Sequence, residues 1–89
     1  MSMMVVGQLY ELEVLGDGSS SSLTVDMAGF YEKDPAARNK TPSSFVTLYS
    51  NVGTISSSSI EGTNVTLNWS SPIASGQVAT ITMQAAFVN

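Results

Sequence analysis

Apolar side chains recur along this chain at every second position, and nowhere do they keep a helical spacing for long. That alternation restricts the chain to strands whose two faces differ. The clearest run sets Val65, Leu67 and Trp69 against Thr66, Asn68 and Ser70. Trp69 falls on the same face as Val65 and Leu67, so these three are the expected core anchor. In residues 6–15, Gln8, Tyr10, Leu12 and Val14 share one face, and Leu9, Glu11, Glu13 and Leu15 share the other. Gly16-Asp17-Gly18 breaks that run as a turn does. Leu23, Val25 and Met27 then alternate with Thr24, Asp26 and Ala28. The two segments predict a hairpin with a rather long connection.

Further strands follow at residues 45–50, 54–60, 65–70 and 77–88, separated by Asn51–Gly53, Glu61-Gly62 and Pro72–Gly76. In the first of these, Val46 and Leu48 oppose Phe45, Thr47 and Tyr49. The second carries four consecutive serines and reads as an exposed edge. Turns every 8–12 residues between six or seven short strands predict an all-β fold, a small antiparallel sandwich or barrel. Residues 29–44 interrupt the pattern with one long proline-containing loop. Within it, Pro35-Ala36-Ala37-Arg38 fits a single helical turn capped by Asp34.

A chain of 89 residues makes one domain, spanning residues 1–89. Its core is modest, and a small core without staples leans on association. Only 11% of residues are charged, against roughly 25% in ordinary soluble domains. Hydroxyls take their place, with 15 Ser and 8 Thr. A surface of this kind is cheap to desolvate, and charge depletion is what distinguishes interface cores from free surface.

The chain has no Cys and no His. Disulfides, thiolate chemistry and an imidazole base are therefore excluded, and the serines have no base to activate them. Glu11 and Glu13 stand about 7 Å apart on one strand face. A retaining glycosidase or a cation site uses paired carboxylates, but no sugar-stacking aromatics surround these two, and they read as a solvated face. The expectation is a protein that is not an enzyme, with no catalytic residues, no cofactor and no metal. A net charge of −4 with only Lys33, Arg38 and Lys40 as cations argues against nucleic acid. No segment approaches the ~20 apolar residues of a membrane span. Residues 1–6 are too short for a signal-peptide core and lack a basic start.

Two features point to protein partners. The loop concentrates Phe30, Tyr31, Lys33, Arg38 and Lys40, and these are the expected partner-binding residues, with Arg38 pairing a carboxylate. From Gly62 onward no charged side chain occurs over 28 residues, and neither face of the last strand is distinctly polar. One face belongs to the core. The other, Val78, Thr80, Thr82, Gln84, Ala86 and Val88, calls for a neighbouring subunit in a closed ring such as a trimer, or for a central place in a compact sandwich.

Three resemblances attach to these residues. Val65-Thr66-Leu67-Asn68-Trp69 followed by Pro72 resembles the second strand of fibronectin type III domains, which implies a Trp between two sheets. Only 17 residues follow Pro72, however, where that family has most of its strands. Pro35-Ala36-Ala37-Arg38 is similar to the tetrapeptide of PAAR spike-tip proteins, without the His and Cys that hold their zinc. In general character the whole chain resembles small all-β accessory proteins of tailed-phage virions, the capsid cement or decoration type. The traits are its size, its lack of Cys and His, its acidic Ser/Thr-rich surface and its proline-containing loop. That resemblance implies a virion component on the outer surface of a capsid, an oligomer that binds and stabilises the lattice of a major capsid protein. A carbohydrate- or receptor-binding β module of a tail fibre or secreted protein is the alternative, and it would need Phe30, Tyr31 and Tyr49 on an exposed platform.

Overall fold

A computed structural model describes residues 4–89. The first three residues of the opening apolar run, considered above for a signal peptide, lie outside that range. Six strands form: β1 (Met4–Leu15), β2 (Ser22–Asp26), β3 (Thr41–Ser50), β4 (Ile55–Glu61), β5 (Asn64–Trp69) and β6 (Val78–Val88). They make two antiparallel three-stranded sheets, ordered β1-β6-β3 and β2-β5-β4. The chain is a small all-β sandwich.

The two strands with the cleanest alternation occupy the centres. β5 sends Val65, Leu67 and Trp69 inward, and β6 sends Ala79, Ile81, Met83, Ala85 and Phe87 to meet them. A central strand has no edge to protect, so it does not need charge. That accounts for the uncharged stretch from Gly62 onward. β6 is thus central in its sheet, and its outer face stays partly exposed apart from the buried Ala86.

Pairing departs from the expected hairpin of the first two segments. β1 pairs with β6, and β2 pairs with β5 in the other sheet. At the end of β1, the Gly16 amide donates to the Gln77 carbonyl at 2.8 Å and that of Gly18 to Ile73 at 2.9 Å. These bonds hold β1 to the approach of β6 while the following residues cross to the second sheet. Period-two alternation fixes which side chains face inward but carries no information on which strand lies alongside. Only β4 and β5 are consecutive partners, joined through Gly62 at φ +61°.

β3 is longer than expected, starting at Thr41 rather than Phe45, so the loop ends four residues sooner than residue 44. Pro42 is tolerated because β3 is an edge strand, where a missing N–H costs no ladder bond. Register shifts occur between Pro42 and Ser44 and between Phe45 and Thr47. The second bulge reverses the alternation, so Phe45 and Leu48, expected on opposite faces, both pack on the core.

β1 has a bulge of its own between Val6 and Leu9. The Gln84 side-chain amide closes it by donating to the Gly7 carbonyl at 2.8 Å. Gly7 is buried, and a Cβ there would come within 2.6 Å of Asp34 Oδ2 and 2.7 Å of Phe87 Cε2. Gly7→Ala is expected to cost about 2 kcal/mol through overpacking, read as a shift in the urea midpoint. An unchanged midpoint would show that the bulge yields freely.

Candidate protein-contact surfaces

The outer face of the β1-β6-β3 sheet collects the exposed apolar residues. Met4, Val6, Leu9 and Leu15 of β1, Val46 and Tyr49 of β3, and Val78 of β6 are all 46–70% exposed. Among the described residues these are all the large hydrophobic side chains with such exposure, and every one belongs to this sheet. Register places them in rows: Leu15 opposite Val78, Leu9 beside Gln84 and Thr47, and Glu11 beside Thr82 and Tyr49. Glu11 and Glu13 are the charged side chains of the face. The opposite outer surface differs in kind. On β2-β5-β4, hydroxyls and amides bond to one another, Thr24 with Thr66 at 2.9 Å and Asn68 Nδ2 to Ser57 Oγ at 3.1 Å. One face is thus a self-satisfied polar surface, and the other exposes apolar area.

The second surface lies at the end of the sandwich where β2 leads into β3. Met27 is buried, Asp26 accepts the Ala28 amide at 3.0 Å, and a short helix α1 (Ala28–Tyr31) follows. The expected turn at Pro35 forms as a 3-10 helix, Pro35–Ala37, and Asp34 caps it by accepting the Ala36 amide at 3.0 Å. Asp34 does more than cap. It is 3% exposed, and it also accepts the Gln8 amide at 2.9 Å and the Tyr10 hydroxyl. Burial alone would raise its carboxyl, but the bonds from Tyr10, Gln8 and Ala36 outweigh burial and hold it below the usual carboxylate range. Tyr10 responds in the opposite sense. Burial, and then its bond to the Asp34 carboxylate, push its hydroxyl up.

This arrangement sorts the expected partner-binding residues. Tyr31 is a correction. It is buried, edge-on to Phe87 at 5.1 Å between ring centres and tilted on Tyr10 at 5.9 Å. Its hydroxyl has no hydrogen-bond partner among the described residues, and burial pushes it up. A short helix that ends on the core turns this aromatic inward, which loop composition could not reveal. Phe30 is half-buried against Tyr10, with ring centres 5.5 Å apart. Lys33 and Arg38 are exposed, and Lys40 is half-buried with its Nζ 2.6 Å from Asn89 Oδ1. The three cations line one cleft of about 390 Å³ whose walls include Ala28, Pro42 and Phe87.

Tyr49 stands on the β3 outer face, away from Phe30 and Tyr31, so the three aromatics do not form the platform that the carbohydrate reading needs. Sequence reasoning passed over Leu9 and Leu15 as contact residues and named Tyr49 only for an aromatic platform. The available signal was two leucines sharing a strand face with two glutamates. Trp69, Val65 and Leu67 are buried together as expected. Among the described residues, no cluster of three or more His, Cys, Asp or Glu could hold a metal ion, and no helix is long and apolar enough to cross a membrane. Comparison with protein families, with characterised proteins and with solved structures returned no match to this chain.

Proposed function

We propose that this chain is a non-enzymatic assembly protein that binds other protein subunits, its own copies included, through the outer face of the β1-β6-β3 sheet. The observation that carries the reading is the segregation of exposed apolar residues onto that one face, opposite a polar surface whose groups bond to one another. A stable contact has an apolar centre depleted in charge, and this face has that composition with two glutamates along β1. Capsid decoration is the specific form of this reading, resting on the whole-chain character described above. In that form the protein is an oligomer on the outside of a shell built by a major capsid protein, where a net charge of −4 keeps it clear of packaged nucleic acid.

The test uses Leu9→Lys with Tyr49→Lys, two side chains more than 60% exposed and therefore replaceable without loss of the fold. Wild type is expected to sediment as an oligomer and the double variant as a folded monomer. A wild type that stays monomeric from micromolar to millimolar concentration overturns the reading.

A further inference from the structure

The molecule carries two opposite charge patches that cannot meet within one copy. Lys33, Arg38 and Lys40, all the cations of the chain, line the cleft beside Phe87. Glu11 and Glu13 sit on the exposed apolar face, opposite Thr82 and Thr80 of β6. Along β6 those positions are five and seven residues from Phe87, roughly 17–24 Å at ~3.4 Å per residue. No side chain reaches that far, so neither patch neutralises the other internally.

The surroundings of the two patches match. The glutamates stand between Leu9 and Leu15 on an edge strand, and the cations stand beside the half-buried Ala28 and Pro42, with Phe87 buried beneath. Asp34, inside the cleft, is buried and turned to three neutral donors, Gln8, Tyr10 and Ala36. Glu32 also lines the cleft, so three cations stand against two carboxylates, Glu32 and the buried Asp34.

Resting on the assembly reading, we infer that the cleft is the docking site for a second copy of this chain. The second copy presents the Glu11–Glu13 segment of its β1, and its carboxylates pair with Lys33 and Arg38. A second copy is favoured over a foreign partner because each molecule carries both halves of the complementary pair. Polyanions are disfavoured by the net negative charge. The contact is head-to-tail, because the donor and acceptor patches are different surfaces. Such contacts close into rings or propagate as filaments.

Charge reversal with rescue tests this. Glu11→Lys/Glu13→Lys and Lys33→Glu/Arg38→Glu alter exposed side chains only, and circular dichroism establishes that each variant is folded. Sedimentation velocity at low salt is expected to show wild type assembling, with association falling at least tenfold as salt rises to 0.5 M. Each reversed variant alone is expected to be monomeric. Mixing the two, or combining all four reversals in one chain, is expected to restore assembly. If wild type assembles and Leu9→Lys/Tyr49→Lys abolishes it while charge reversal has no effect, the inference is overturned and the assembly reading stands. Failure of the fourfold reversal to restore assembly also overturns the inference. A monomeric wild type overturns both.

Discussion

Truncating Trp69 to alanine is expected to destabilise the protein by about 3–5 kcal/mol, a large share of the ~5–15 kcal/mol available to a domain of ordinary stability. Trp69 is 5% exposed and packs with Val65, Leu67 and Ile73 across from the inward residues of β6. It closes the end of β5, where its amide also donates to the Ser21 carbonyl at 2.8 Å. The indole is in close contact with backbone, since a Cβ on Gly53 would lie 3.1 Å from Trp69 Cδ1. The indole Nε1 has no hydrogen-bond partner among the described residues, so Trp69→Phe loses packing but no bond and is expected to cost about half as much. Urea titration followed by circular dichroism measures both. An alanine variant within 1 kcal/mol of wild type would contradict this placement of the side chain.

Asp34→Ala is the second large effect, expected at about 3 kcal/mol. The substitution removes a cap worth about 1 kcal/mol. It also strips acceptors from the Gln8 amide and the Tyr10 hydroxyl, and an unmet buried donor costs about 1–3 kcal/mol. The loss has a pH signature. Because the folded state holds the Asp34 carboxyl below its unfolded value of ~3.9, the unfolded state takes up the proton first as pH falls. The stabilisation is therefore fully present above ~pH 4 and is lost below it, as pH passes through the lowered folded value. The stability gap between wild type and Asp34→Ala should be widest at neutral pH and narrow on acidification. Tyr10 adds an alkaline limb. Its raised hydroxyl favours the neutral form in the fold, so its contribution is present below ~pH 10 and fades above. A gap that stays constant from pH 7 to pH 2 would mean that Asp34 supports the fold without its charge.

How far the sequence disclosed this structure depends on the range of the interaction. β5 was legible because Val65, Leu67 and Trp69 bury one face of a regular strand, and alternation reports that directly. The Asp34 cap was legible because it acts two residues away. The tie from Asp34 to Gln8 and Tyr10 was not, since it joins residues 24 and 26 positions apart and leaves no local pattern. Bulges were hidden for a different reason. A single extra residue in β3 moves Phe45 and Leu48 to the same side, and composition is unchanged by it. The three cations of the loop were visible as a cluster in sequence, whereas the apolar face opposite the polar sheet required knowing that β1, β6 and β3 lie side by side.

The order of the β1-β6-β3 sheet also has a consequence in time. Its central strand is residues 78–88, so β1 and β3, though synthesised earlier, have nothing to pair with until that segment emerges. β4 and β5 can form a hairpin at once, while half of the sandwich must wait. Closing β1 onto β6 spans nearly the whole chain, and such distant pairings are slow because the loop entropy is lost before contacts repay it. During that interval the apolar strands of β1 and β3 are open to any other chain. The β1-β6-β3 sheet therefore closes only once residues 78–88 are available, and a chain cut short before residue 78 has no means of completing it.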